Sequence, residues 1–184
     1  MERVTFSIPG YSVVASSGEW PEMYSSYCEH ALLVEELDLS AAACERSFFA
    51  VTPGDRAWPS LVVLQHYEPS GYGFHPGILI VPETSLVFIG AGARLLAYCM
   101  EPEPRRLWED KADVGFWSWA VHEDVVLMSA ELELAAWTNR GRKLWSTFAD
   151  PPWHYRVDGQ LVTLTACGGD ESVFSLTDGP ARAR

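Results

Sequence analysis

Two segments of this chain repeat one pattern of apolar and small residues at a spacing of 39 residues. Residues 86–98 read LVFIGAGARLLAY and residues 125–137 read VVLMSAELELAAW. Both then pass through a polar turn to a Leu-Trp pair, which ends at Trp108 in the first copy and at Trp145 in the second. Such a repeat restricts the fold more than any other feature, because each copy must be a supersecondary unit that buries its apolar face against its neighbours.

A second alignment extends the repeat toward the C-terminus. Residues 115–128 (GFWSWAVHEDVVLM) match residues 151–164 (PPWHYRVDGQLVTL) at a spacing of 36, and a less regular third copy continues to Leu176. Each copy consists of short apolar runs separated by Gly, Pro or Asn, which is typical of strands and tight turns. A period of 36–39 residues made of short strands indicates propeller blades or a related β array.

The glycines of the first copy do not predict a phosphate-binding loop. Gly90 and Gly92 follow an apolar run, as in a dinucleotide fingerprint, but Leu95 stands where that fingerprint needs its third glycine. The second copy has Ser129 and Glu131 at the corresponding positions, and no helical period follows. We therefore predict a tight turn or a close approach of strands, which glycine allows because it lacks a Cβ.

Four residues of the second copy, Ala136, Trp137, Gly141 and Trp145, form a further pattern: Ala before an apolar residue in a strand, a polar turn that ends in Gly, and then a Trp. In this pattern residues 74–178 resemble the blade repeat of quinoprotein-type (PQQ-like) β-propellers. The resemblance implies a blade architecture. It implies no particular chemistry, since such blades serve many non-catalytic scaffolds.

The chain also departs from that family. The aspartate that usually follows the Ala-apolar pair is Cys99 in one copy and Thr138 in the other, and Pro102 and Pro104 replace the Gly turn of the first copy. Propellers have about four to eight blades, and this length allows at most about four. We therefore carry over neither the quinone cofactor nor the dehydrogenase activity of the larger family members, and we expect no cofactor.

These observations predict an all-β fold and a single domain over residues 1–184. We expect an antiparallel, curled sheet of about 2.5 propeller-like blade repeats, shaped as an open half-propeller or a barrel. Residues 1–73 would form an N-terminal β-rich part, residues 74–178 the repeats and residues 179–184 a flexible tail. Strands are predicted at VTFSIP, YSVVAS and SLVVLQHY, whereas residues 31–51 fit neither the strand nor the helix period.

The formal net charge of −12 limits the partners. A surface this acidic repels phosphate backbones and anionic lipids, so we expect neither nucleic acid nor a membrane as partner, and a basic protein is the matching one. No apolar run approaches a membrane span, and the N-terminus lacks a secretory pattern. Four widely spaced cysteines without a C-x-x-C pair indicate reduced, buried thiols, and we predict a cytoplasmic protein.

Aromatic residues of the repeat are the leading candidates for a binding site. Trp117 and Trp119 are two residues apart, as are their repeat mates Trp153 and Tyr155, so each pair is expected on one face of a strand. All four could simply fill the core between repeats. If they are partly exposed, they form the kind of aromatic cluster that is enriched at binding hot spots.

Acidic residues follow these aromatic residues in the sequence. Glu123 and Asp124 lie in HEDVV, which begins like a zinc-peptidase motif but has Val126 in place of the second His. We interpret this segment as a polar hairpin turn. Together with the aromatic residues, the two acids would form an acid-rimmed aromatic face that suits a basic partner.

A second set of residues predicts a different kind of site. His66 and His75 flank a Gly-rich loop, and with Glu68 and Tyr72 they could form a ligand pocket or a weak metal or acid/base site. There is no G-x-S-x-G elbow, and the other histidines are scattered, so we predict neither catalytic nor metal-binding residues elsewhere.

The sequence therefore predicts a non-catalytic protein-interaction module, such as an inhibitor or an immunity-type protein that neutralises a basic partner. Two alternatives stay open. One is a small-ligand binder or weak enzyme that uses the loop at residues 66–77. The other is a homodimeric structural domain in which an open sheet edge pairs with a second copy.

Overall fold

The computed structural model describes residues 2–38, 45–68 and 75–181. Within this part of the chain the protein is all-β, as the sequence predicted. This part has sixteen strands and one short α-helix. The strands form four sheets, none of which closes on itself. The predicted barrel is therefore wrong, and so is the single curled sheet.

Sheet I contains the N-terminal strands in the spatial order β1-β2-β4-β5-β3. Its elements are β1 (Glu2–Ile8), β2 (Tyr11–Ser17), α1 (Tyr24–His30), β3 (Leu33–Leu37), β4 (Glu45–Pro53) and β5 (Leu61–Tyr67). The three strands predicted in this part are confirmed. The ambiguous region contributes β3 and β4, and β3 pairs with β5 in parallel, unlike the antiparallel arrangement expected. The sequence did not predict α1.

Sheets II, III and IV are antiparallel meanders whose strands follow chain order. Sheet II contains β6 (Gly77–Val81), β7 (Leu86–Ala91), β8 (Arg94–Cys99) and β9 (Arg105–Lys111). Sheet III contains β10 (Phe116–His122), β11 (Val125–Ala130), β12 (Glu133–Thr138) and β13 (Lys143–Phe148). Sheet IV contains β14 (His154–Asp158), β15 (Leu161–Thr165) and β16 (Glu171–Ser175). β11 begins 39 residues after β7, and β15 begins 36 residues after β11, which are the spacings of the sequence repeat.

The sheets stack face to face in the order I, II, III, IV, with an apolar layer at each junction. Val63 and Ile89 lie in the layer between sheets I and II, Phe88 and Val126 in the next, and Leu127 and Val162 in the last. The outer face of sheet I is covered by α1 and the segments beside it.

Burial of whole strands explains why the chain forms layers rather than one curled sheet. Every residue of β7 and of β11 is buried, so both faces of these strands need an apolar neighbour. A single sheet with one solvent-exposed face leaves every second residue of a strand exposed. Separate sheets stacked on both sides bury both faces.

Glycines allow sheet III to approach sheet II. Gly77 and Gly90 are cross-strand partners, and the Phe116 ring lies directly over both. A Cβ on Gly90 would lie 2.5 Å from Phe116 Cδ2. Gly92 begins the turn into β8 with a φ of +57°, so the predictions of a turn and of close strand approach are both confirmed.

A tryptophan on the last strand of sheets II and III reaches the following sheet. Trp108 Nε1 donates to Gly141 O at 2.6 Å, and Trp145 Nε1 donates to Leu176 O at 2.8 Å. The Trp145 ring also packs on Gly179, where no Cβ would fit. The packed part of the chain thus includes Gly179, where the sequence analysis had placed the start of a flexible tail.

The outer face of sheet IV is more polar than the equivalent faces inside the stack. Phe88 and Leu127 are fully buried at corresponding positions, and Thr163 takes their place in sheet IV. Leu161 and Val173 on this outer face are 52% and 61% exposed. Polar and small side chains at this position suit the end of a stack, where the face meets water.

Candidate functional site

Four aromatic rings form a continuous series along sheets III and IV, which we call the aromatic ladder: Trp117, Trp153, Tyr155 and His122. Trp117 stacks on Trp153 with ring centroids 5.1 Å apart and planes inclined by 16°. The ring centroids of Trp153 and Tyr155 are 6.4 Å apart. Tyr155 meets His122 edge-on, with ring centroids 6.3 Å apart. Three of the predicted aromatic residues are thus brought together, and His122 joins them.

A β-bulge decides which tryptophan belongs to the ladder. The register of β10 with β11 shifts between Phe116 and Ser118. Trp117 therefore packs into the layer between sheets III and IV, whereas Trp119 packs into the layer between sheets II and III. The prediction that the two side chains share one face is wrong, because it assumed a regular strand.

Trp119 is half-buried and packs against the layer between sheets II and III. Its ring contacts Phe88 and Phe116 at centroid distances of 5.4 Å and meets Trp137 edge-on at 5.7 Å. These contacts fix the packing of sheet III on sheet II. We therefore exclude Trp119 from the candidate binding surface.

Burial and a hydrogen bond hold the rings of the ladder in place. Trp153 is buried, and its Nε1 donates to Glu131 O at 2.9 Å. Tyr155 is half-buried, and burial raises the pKa of its hydroxyl despite an opposing contribution from Ser129. Trp117, Tyr155 and His122 keep part of their surface in contact with solvent. The rings are therefore ordered before any ligand arrives.

Glu123 directly follows His122, at the turn between β10 and β11. Its carboxylate accepts a hydrogen bond from Gln160 Nε2 at 2.6 Å, which ties the turn of sheet III to the turn of sheet IV. Glu123 adopts a left-handed φ of +53°, and its repeat counterpart is Gly159 with a φ of +55°. A glutamate thus occupies a position where glycine fits without strain.

Asp124 faces a different part of the surface. Its carboxylate accepts from Asn139 Nδ2 at 2.7 Å, and Asn139 O in turn accepts from the Thr84 hydroxyl at 2.6 Å. These bonds join the turns of sheets II and III beside an open basin of about 810 Å³ that Arg140 and Arg142 also line. Asp124 therefore fixes the turn and lies outside the ladder itself.

The alternative pocket is not assembled by the residues that the structure describes. His66 stacks on Trp20, on the side of sheet I that α1 covers, with centroids 5.9 Å apart. His75 lines a cavity of about 220 Å³ with Phe49, which belongs to the opposite side of the sheet. Glu68 is exposed, and Tyr72 lies outside the described residues. The two histidines therefore do not converge.

The prediction of reduced, buried thiols is only partly correct. Cys28, Cys99 and Cys167 are free thiols, and Cys44 lies outside the described residues. Cys28 and Cys99 are half-buried, but Cys167 is exposed, so the prediction of burial is wrong for that residue. Burial and the nearby Glu36 raise the pKa of the Cys28 thiol.

Comparison of the chain with known proteins assigns no family. No protein-family model matches the chain, and no curated protein is significantly similar to it. In the described residues no helix is long and apolar enough to cross a membrane, and no cluster of His, Cys, Asp or Glu could hold a metal ion.

Sequence reasoning missed two members of the site, His122 and Gln160. Both lie in repeat-equivalent turns, and the alignment of those turns was the available signal. That alignment gave the matching positions. It did not show that the two turns contact each other in space.

Proposed function

We propose that this protein is a non-catalytic interaction module that binds a basic segment of another protein through the aromatic ladder and Glu123. The observation that carries the proposal is the ladder itself, four ordered rings of which the last, His122, directly precedes the exposed Glu123 in the sequence. An arginine side chain can stack on such rings and hydrogen-bond to the carboxylate at their end. Arginine is favoured over lysine because its planar guanidinium does both at once.

Preorganisation favours binding at this place. Stacking on Trp153 and the bond from Gln160 already restrict Trp117 and Glu123, so a ligand has little side-chain entropy to remove. The left-handed backbone of Glu123 supports a functional role, since strain at an exposed turn is retained where it serves a site.

The net charge of −12 supports a basic partner. It would speed association with such a partner and repel acidic proteins and nucleic acids. These properties suit an inhibitor or immunity-type protein that covers a basic surface of its target. The free thiols of Cys28, Cys99 and Cys167 support a reducing, cytoplasmic location as part of the same proposal.

For the fold we propose that sheets II to IV are blade-like repeats of the quinoprotein type in an open array. The recurrent strand spacings of 39 and 36 residues support this assignment. So do the indole hydrogen bonds of Trp108 and Trp145, which each link one sheet to the next. The open array serves to present the ladder along the first strands of two neighbouring sheets.

Calorimetry with an arginine-rich peptide tests the proposed function. We expect saturable binding of a peptide with alternating Arg and Gly, weaker binding of its Lys counterpart, and a loss of affinity as salt rises. Glu123→Gln should weaken binding by about tenfold, as expected for a charge-assisted hydrogen bond. Glu171→Gln removes an equally exposed acid at the opposite end of sheet IV and serves as the matched control. Equal affinities for the two variants would overturn the proposal.

A further inference from the structure

A second apolar surface lies at the other end of the stack, around α1. Met23 and Leu32 are 47% and 55% exposed, and Tyr24 beside them is 38% exposed. No residue of α1 is fully buried, although the helix covers the outer face of sheet I. A group of exposed apolar side chains is one mark of an interaction surface.

An ordered aromatic pair adjoins these side chains. His30 stacks on Trp58 with ring centroids 4.2 Å apart and planes inclined by 16°, and Tyr27 meets Trp58 edge-on at 6.3 Å. His30 Nδ1 lies 2.9 Å from Ser26 O, which fixes the ring. Trp, Tyr and Met are the residue types that protein interfaces favour, and here they are held rigid beforehand.

Acidic residues outnumber basic ones around this surface, although Arg46 lies over the Trp20 ring and Arg56 is close to Trp58 in the sequence. Residues 18–36 contain five glutamates and no Lys or Arg. Glu19, Glu22 and Glu29 are exposed beside the apolar side chains. A second copy of the same chain would bring these acids against each other, so charge disfavours a symmetric dimer at this place.

We infer that the α1 surface, defined by Met23, Tyr24, Leu32 and Trp58 with its rim of Glu22 and Glu29, docks a basic amphipathic segment of a partner protein. The apolar side chains of the segment would cover Met23 and Leu32 while its cations meet the glutamates. This site is separate from the aromatic ladder, because α1 lies on sheet I and the ladder lies on sheets III and IV. The protein would then hold a basic partner at two places.

Anisotropy of a labelled model peptide tests this inference. The probe is a peptide of Lys and Leu in helical amphipathic spacing, and its control has the same composition in scrambled order. We expect Met23→Ser with Leu32→Ser to weaken probe binding by about tenfold or more, since these are the most exposed apolar side chains of the surface. The matched control is Leu161→Ser with Val173→Ser, which removes two similarly exposed apolar side chains from sheet IV. All four side chains are exposed, so both double variants should fold.

Each outcome is decisive for this surface. Selective loss of affinity in the Met23/Leu32 variant, with no loss in the Leu161/Val173 variant, supports the inference. Equal affinities for the two variants overturn it, as does binding of the scrambled peptide as tightly as the amphipathic one. The Met23/Leu32 variant should bind the arginine-rich peptide, which has no apolar side chains, as tightly as the unchanged protein, so failure here is distinguishable from failure of the proposed function.

Discussion

Trp117 and Trp153 stack face to face across two sheets, although they occupy matching places in consecutive copies of the repeat. The bulge at the start of β10 turns Trp117 toward sheet IV, where Trp153 is already fixed by its bond to Glu131 O. A repeat of 36 residues thus brings equivalent aromatic side chains into one series. The same arrangement leads to Glu123 and forms the candidate site.

Trp117→Ala should weaken binding of the arginine-rich peptide by about tenfold, since one ring of the stack and its cation–π contribution are lost. Trp117→Phe retains a ring and should show a smaller effect. Calorimetry on both variants, with thermal unfolding to confirm that each is folded, measures the difference. Unchanged affinity for Trp117→Ala would remove this residue from the site.

Glu123→Gly should separate binding from stability. Glycine adopts the left-handed turn without strain, so we expect the free energy of unfolding to stay equal or to rise by up to about 1 kcal/mol. Binding of the arginine-rich peptide should fall, since the carboxylate is gone. Urea unfolding beside calorimetry shows both effects. A clear loss of stability would mean that Glu123 is retained for the fold.

Gly90→Ala should destabilise the protein by about 1–3 kcal/mol, because a new methyl group would overlap the Phe116 ring. Gly54→Ala is the control, since its nearest neighbour would lie at an ordinary 3.6 Å. Urea unfolding of the two variants measures the difference. Equal stabilities would contradict the close packing of sheet III on sheet II.

Trp145→Phe removes the indole donor that bonds to Leu176 O and leaves a ring in its place. We expect a loss of about 1–3 kcal/mol, since a buried carbonyl loses its partner and packing on Gly179 is reduced. Trp58→Phe is the matched control, because no hydrogen bond of its indole occurs within the described residues. The free energy of unfolding distinguishes the two, and similar small losses would count against the link between sheets III and IV.

Alkaline pH should destabilise the fold partly through Tyr98. This hydroxyl is fully buried and donates to Glu35 Oε2 at 2.7 Å, and burial first and this bond second raise its pKa. A raised pKa means that stability is fully present below the unfolded value of about 10 and is lost as pH rises further toward the folded one. The slope of unfolding free energy against pH above 10 should therefore be less steep in Tyr98→Phe.

That variant also removes the bond at neutral pH, where we expect a loss of about 1 kcal/mol. Urea unfolding at pH 7 and at several values above 10 gives both results. An unchanged slope in Tyr98→Phe would show that other groups, such as the tyrosines Tyr67 and Tyr155 with raised pKa values, account for the alkaline loss.

Much of the fold could be predicted because the repeat is local. The spacing of 39 residues that aligns residues 86–98 with residues 125–137 also separates β7 from β11, and the glycine comparison predicted the turn at Gly92. Division into four sheets could not be predicted from periodicity, because a fully buried run such as β7 shows no alternation. The parallel pairing of β3 with β5 depends on a long-range contact, which a single sequence does not contain.

The sequence predicted most residues of the site but only part of their arrangement. Trp117, Trp153 and Tyr155 come together as expected, while the bulge turns Trp119 toward the layer between sheets II and III. Alternation along a strand assumes a regular register, and one extra residue reverses the face of every side chain beyond it. His66 and His75 failed to converge because they lie on opposite sides of sheet I.

The most direct test of the central claim is a titration with the arginine-rich peptide that follows the eight indole N–H resonances by ¹⁵N–¹H correlation. Trp→Phe variants assign each resonance. Our account predicts progressive shifts of the Trp117 and Trp153 indoles, with the Trp119 and Trp137 indoles unmoved. Shifts confined to other indoles, or none at saturating peptide, would contradict the ladder as the binding site for a basic partner.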